Sequence, residues 1–244
     1  MADLDSYRVN EMKKKFLVIL LTVLAVLAAA AVGTKLITSD KNGGTGASAE
    51  TSKTNQLSLP YTLPNGCEIA EIKNYSGPFV EDGSDTEKKN MLALVVKNTT
   101  GKDFQYMMFK LTCGNKEYTF KLTTLFDNSA VTVLESTGAA YTKEKIDLVE
   151  LTQSVEFSSS PTVHPEELEI TVMDGLMNIK NISGKDISGN IYVYYKRTDG
   201  EDWFGGITYR ASANGGLKNG EIRQIPAKHF KKDTCKVVFA DYDS

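Results

Sequence analysis

Two histidines, His164 and His229, are the only imidazoles in the 244-residue chain, and imidazole is the side chain best suited to proton transfer and metal ligation near neutral pH. Neither stands in a His-Glu-x-x-His or comparable spacing, and His164 directly precedes Pro165, so metal catalysis is not expected. Three cysteines, Cys67, Cys113 and Cys235, lie far apart with no Cys-x-x-Cys pair. Their spacing predicts buried thiols, with one disulfide as the alternative. The acidic stretch Glu81-Asp82-Gly83-Ser84-Asp85-Thr86-Glu87 is rich in oxygen ligands but departs from the calcium-loop spacing, so a solvated turn is expected and a calcium site is the alternative. Glu166 and Glu167 are adjacent and point apart on a strand, which excludes them as a glycosidase-like pair. No Gly-x-Ser-x-Gly elbow, phosphate-binding loop or dinucleotide fingerprint occurs. The expectation is a protein that is not an enzyme and has no cofactor and no resident metal.

Recognition chemistry is better represented. Tyr192, Tyr194, Tyr195, Trp203, Phe204 and Tyr209 crowd one predicted hairpin around Asp199-Gly200, and strand alternation sends some of them away from a core. One reading makes Trp203 the packed centre of a sandwich with the outward tyrosines paired across strands. The other makes these six a contact surface for a glycan or protein. Charged residues form 24% of the chain with a net charge of -3, acids and bases interleaved, so nucleic acid is not an expected partner.

The segment that decides where this chemistry operates is Phe16 to Val32, which carries no charged side chain. Its eleven Leu, Ile, Val and Phe residues favour a bilayer by about 3 to 7 kcal/mol on the insertion scale. Lys13, Lys14 and Lys15 precede it, so the amino-terminal tail, residues 1–15, is predicted to be cytoplasmic and everything after Val32 to lie outside. Extended to Ile37, with Lys35 at the interface, the helix is long enough to span. Residues 16–37 are therefore read as a single-pass membrane anchor. The alternative is a signal segment cleaved near Ala28 to Ala31, which would release a secreted protein. Residues 38–59 are rich in Gly, Ser, Thr and Asn and predict a flexible tether.

Beyond the tether the pattern is that of strands. Glu117 to Leu122, Leu168 to Val172 and Cys235 to Phe239 follow a period of two, and Met91 to Val96 is a continuous apolar run suited to a strand covered on both faces. Tyr141 to Leu151 is the best helix candidate and reads equally as loop plus strand. The octapeptide Lys97-Asn98-Thr99-Thr100-Gly101-Lys102-Asp103-Phe104 recurs as Lys180-Asn181-Ile182-Ser183-Gly184-Lys185-Asp186-Ile187. Each copy follows an apolar strand and precedes an aromatic-rich one. In both, the Asn can bond the backbone two residues on and the Gly can adopt positive φ. The repeat predicts a mainly β protein with two tandem β-sandwich units, residues 60–157 and 164–244, joined through 158–163.

The second unit, with Asn181-Ile182-Ser183-Gly184-Lys185, Ile191-Tyr192-Val193-Tyr194-Tyr195, Asp199-Gly200, Gly205-Gly206 and Asn219-Gly220-Glu221, resembles the FxLYD-type domain. Ile191 and Val193 stand in place of that motif's Phe and Leu, Tyr194 matches it, and Tyr195 replaces its Asp. The resemblance implies an Ig-like sandwich on a surface protein of Gram-positive bacteria, and it carries no active site. The expected function is a membrane-anchored, extracytoplasmic, non-enzymatic binding or structural module with a protein or cell-envelope ligand. Alternatives are an accessory or signalling subunit of an envelope assembly, or an extracytoplasmic enzyme.

Overall fold

The computed structural model describes residues 58–142 and 145–243. The predicted cytoplasmic tail, the apolar segment 16–37 and nearly all of the tether lie outside the described residues. The described chain is mainly β, with no helix among the described residues.

Thirteen strands follow one another: β1 (Tyr61–Thr62), β2 (Glu68–Phe79), β3 (Thr86–Asn98), β4 (Phe104–Cys113), β5 (Lys116–Leu125), β6 (Ser129–Leu134), β7 (Leu148–Glu156), β8 (Leu168–Met173), β9 (Leu176–Asn181), β10 (Ile191–Asp199), β11 (Asp202–Ala213), β12 (Ile222–Pro226) and β13 (Cys235–Tyr242). The period-two stretches fall in β5, β8 and β13, where alternation lets one face pack and the other meet water. In the described part of the Tyr141–Leu151 segment there is loop leading into β7.

The octapeptide repeat is the visible edge of a larger duplication. Strands β2 to β7 form two three-stranded groups, β2-β3-β6 and β5-β4-β7, and strands β8 to β13 form the matching groups β8-β9-β12 and β11-β10-β13. The first group of the first half and the second group of the second half join edge to edge. Parallel pairing of β6 with β11, Val131 opposite Trp203 and Thr132 opposite Phe204, makes one seven-stranded sheet in the order β1-β2-β3-β6-β11-β10-β13. The seven-stranded sheet therefore serves both halves.

The two halves use opposite faces of it. Leu92, Leu94, Val96, Val131 and Val133 pack with Phe109, Leu111 and Phe120 of β5-β4-β7 in one core, and Trp203 leans on the same cluster. Ile191, Val193, Tyr195, Ala211 and Ala213 pack with Met177, Ile179 and Ile225 of β8-β9-β12 in the other. A smaller cluster of Phe79, Val80, Met91, Ala93, Leu134 and Phe204 fills the back of the seam. All six residues from Met91 to Val96 are buried, because β3 faces the first core on one side and this cluster on the other.

Each octapeptide is a closed hydrogen-bond cage around a fully buried asparagine. The Asn98 amide donates to the carbonyls of Lys102 (2.7 Å) and Leu125 (3.2 Å), and its oxygen accepts from Thr100 N (3.1 Å) and Oγ1 (2.8 Å). Asn181 repeats this with Lys185 (2.7 Å), Leu217 (2.9 Å), Ser183 N (3.0 Å) and Ser183 Oγ (2.7 Å). Asp103 then accepts from Asp127 N at 2.9 Å, and Asp186 from Asn219 N at 2.8 Å. Gly101 and Gly184, at φ 77° and 80°, take a conformation that would strain any residue with a side chain.

Candidate interaction site

The six aromatic residues singled out from the sequence divide between interior and surface. Tyr195 is 2% exposed and Phe204 8%, so both are core. Tyr209 stacks between Tyr195 (5.3 Å) and His229 (4.7 Å), and Trp203 packs on the first core, 6.5 Å from Phe126. Tyr192 and Tyr194 project from the other face of β10 and are half-buried. Strand alternation produces the division: Ile191, Val193 and Tyr195 point into the second core, and 192 and 194 point away.

Around Tyr194 the fold assembles an aromatic ladder that the sequence hides. Tyr194 pairs with Phe239 across β10 and β13, and their rings stack at 4.2 Å with planes 14° apart. Phe157, at the end of the first half, meets Phe239 edge-on at 5.6 Å. Tyr192 lies under the Arg210 guanidinium at 4.9 Å, where the electron-rich ring face attracts the cation. Beside the ladder is a cleft of about 440 Å³, lined among others by Gln105, Phe157, Ser159, His164, Phe239 and Asp241. Its floor is the joint between the halves, held by Phe157 N donating to Asp103 O (2.9 Å) and Ala240 N donating to Thr162 O (2.9 Å). Phe157 and Phe239 were missed because they lie far from the hairpin in sequence: the β10–β13 pairing brings in Phe239, and Phe157 comes from the loop just after β7.

The second concentration of chemistry is the seam. Opposite Lys196 the β10–β11 register slips from Tyr195–Tyr209 to Arg197–Phe204, so β11 bulges and its backbone groups leave the ladder. The fully buried Lys196 fills the gap. Its Nζ donates to Thr123 O (3.0 Å), Gly206 O (3.2 Å) and Ile207 O (3.2 Å), which uses all three N–H groups of an ammonium. Glu81 answers from the first half, accepting from Gly206 N (2.8 and 2.9 Å) and Leu134 N (2.9 Å). Burial lowers the Lys196 pKa to about 7, countered by the negative charge of Glu81. Burial also raises Glu81, against the Gly206 and Leu134 amides and the Lys196 charge. Both charges thus take over hydrogen bonds that a regular ladder would have made.

Here the chain backbones touch. A Cβ on Gly206 would lie 1.9 Å from Lys121 O, and one on Gly205 would lie 2.5 Å from Val80 Cγ2. Glycine inside a strand is the sequence sign of such an approach, and Gly205-Gly206 was the available clue to the seam. Nearby, Arg197 Nη1 meets Asp85 Oδ1 at 2.8 Å and His229 Nδ1 lies 3.8 Å from Asp85 Oδ2. The acidic stretch thus differs from the expected solvated turn at two positions: Glu81 is drawn into the seam and Asp85 into an ion pair. His164 sits by Glu167, Nδ1 to Oε2 at 3.5 Å, and Glu167 also accepts from the Tyr242 hydroxyl. No group of His, Cys, Asp and Glu arranged to hold a metal ion occurs among the described residues. Cys67, Cys113 and Cys235 are buried thiols, and burial pushes Cys67 up to about 12, far from a reactive thiolate.

Comparison with protein-family models, with curated proteins and with solved structures finds no match to this chain. The functional reading therefore rests on the chain's own chemistry.

Proposed function

We propose that this chain is a non-enzymatic binding or structural module held at the outer face of a bacterial cell membrane by residues 16–37, with a protein or cell-envelope ligand as its partner. Its two repeats are read as Ig-like sandwiches, the second related to FxLYD-type domains. Supporting that reading, each half pairs its first, second and fifth strands in one group and its third, fourth and sixth in the other, the division of an Ig-type sandwich without its last strand.

The observation that carries the reading is the half-exposed ladder Tyr194–Phe239–Phe157, with Tyr192 beside it, on the outer face of β10 and β13. Half-exposed aromatics next to a concave surface are the usual anchors of recognition. The reactive groups that the fold gathers, Lys196, Glu81, Asp85 and Arg197, are engaged in joining the halves. Replacing Tyr192 with a photo-crosslinking amino acid in the full-length chain tests this in intact cells. A discrete crosslinked envelope component is expected, and crosslinking no greater than from a probe at exposed Lys228 would overturn the reading.

A second reading, an accessory or signalling subunit of an envelope assembly, is favoured by β7. This nine-residue strand pairs only with β4 among the described residues, and Leu148 and Val155 are exposed on it. An open edge of that length suits strand addition by a partner.

A further inference from the structure

We infer that the cleft between the halves is a carbohydrate subsite that takes a neutral pyranose ring. This deepens the proposed function, since it rests on the outer face of β10 and β13 being the contact surface and names the chemistry of what it contacts. Three features of the cleft argue for it together.

The first is shape. A volume of about 440 Å³ lies within the roughly 300 to 1,000 Å³ of small-molecule sites. The cleft is also built from both halves: Gln105 belongs to β4, Phe239 and Asp241 to β13, and the joint closes the floor through Thr162 and Ala240.

The second is the division of the wall. Phe157 and Phe239 supply aromatic surface, backed by Tyr194. Around them stand the Gln105 amide, the hydroxyls of Ser158, Ser159 and Ser160, His164 and the Asp241 carboxylate. A pyranose has the complementary halves: a C–H face that packs on the electron-rich face or edge of an aromatic ring, and a rim of hydroxyls that both donate and accept. A purely apolar ligand would leave those polar groups desolvated and without partners, which is costly.

The third is charge. None of the described residues lining the cleft is Lys or Arg, and Asp241 is the one carboxylate. Phosphorylated or uronic sugars would meet that carboxylate with no cation to offset it. The subsite therefore selects neutral sugars over anionic ones.

The test uses the full-length chain in detergent micelles, titrated calorimetrically with triacetylchitotriose, maltotriose and cellotriose as neutral probes and trigalacturonate as the anionic one. Saturable binding of at least one neutral trisaccharide, with at least tenfold weaker binding of trigalacturonate, is expected. Ser159→Trp, which fills the cleft from an exposed position on the joint, abolishes the isotherm while the urea midpoint stays unchanged. Phe239→Ala weakens it at least tenfold, and Asp241→Asn narrows the neutral-to-anionic difference. No isotherm with any neutral probe overturns the inference, as does one that Ser159→Trp leaves intact. A lost sugar signal with retained crosslinking from position 192 would remove the carbohydrate assignment alone, whereas loss of the crosslink would remove the contact surface itself.

Discussion

The two halves of this protein share a strand plan and an asparagine cage, yet only one of them can dock onto the other. Counted from the turn that closes each hairpin, Cys113 opposite Lys116 and Asp199 opposite Asp202, the first half carries Thr119 and Phe120 where the second carries Gly205 and Gly206. The glycines let β11 come against β6 and beneath β5, and Lys196 and Glu81 satisfy the backbone groups that this approach displaces. In β5 the position matching Gly206 is spent on the first core, where Phe120 stacks on Phe109 at 5.4 Å. The two halves thus differ at the seam, in the β11 glycines and in Lys196 and Glu81, while the cage is the same in both. The seam is a specialised site, and the cage is shared scaffolding.

The most damaging test of that contrast is Gly206→Ala. Its Cβ would lie 1.9 Å from a backbone carbonyl that β5 cannot withdraw without leaving the first core, so the loss should exceed about 4 kcal/mol. Urea unfolding of the variant is expected to show an unfolded or two-step protein, the seam having opened. A single transition near that of the parent chain would mean that the halves are not held together here.

Lys196→Met comes next. Methionine fills similar space but removes the ammonium donor from three carbonyls: Thr123 O and Gly206 O keep the hydroxyls of Thr208 and Thr123, Ile207 O loses its Lys196 bond, and Glu81 loses its counter-charge. Removal of one member of a buried pair costs about 3 to 5 kcal/mol. The double variant with Glu81→Gln should cost less than the sum of the two single changes, because the second removes a charge already stranded. Additive losses in denaturant titrations would show that the two groups act independently.

The cages offer a paired measurement. Asn98→Ala and Asn181→Ala each strip one buried and one part-buried carbonyl of a donor and one backbone amide of an acceptor, a loss of about 2 to 3 kcal/mol in either half. Similar losses are expected, since the four contacts of each Asn match to within a few tenths of an ångström, with Asn181→Ala the milder because Lys185 O keeps the Ser183 hydroxyl at 2.9 Å. Widely unequal ones would show that the scaffold is not energetically shared.

This contrast also explains what the sequence disclosed. The cage was legible because it is local: Asn98 reaches Thr100 and Lys102, all within one octapeptide, and the second copy announced itself by identity. Strand positions were legible for the same reason, through alternation in β5, β8 and β13. The seam was not, because Lys196 reads as an outward residue in an alternating strand and is buried only when a bulge 10 residues later and β5, 73 residues earlier, close over it. The ladder was half legible. Tyr192 and Tyr194 lay in the chosen cluster, but Tyr195 and Phe204 point into cores, and Phe157 and Phe239 arrive from a loop and a strand distant in sequence.

The smallest expected effect separates the halves by pH. Glu135, 3% exposed, directly follows β6 and accepts from Thr137 N (2.8 Å), Thr137 Oγ1 (2.7 Å), Ala139 N (2.9 Å) and Thr119 N (3.2 Å). The matching position after β12 is Ala227. Burial alone would raise the Glu135 pKa, but these donors outweigh it and hold the carboxyl below its ordinary 4.5. A carboxylate with a lowered folded pKa binds fewer protons than it does unfolded, so its contribution is present above about pH 4.5 and is lost as the pH falls through the folded value. Glu135→Gln should therefore cost about 1 to 2 kcal/mol at neutral pH, and less once the pH has fallen through the folded value and the parent carboxyl is protonated as well. Urea midpoints of both proteins between pH 7 and pH 3 check this. A gap that stays constant with pH would mean the donors hold an uncharged oxygen as well as a charged one, leaving the first half without its acid-sensitive lock.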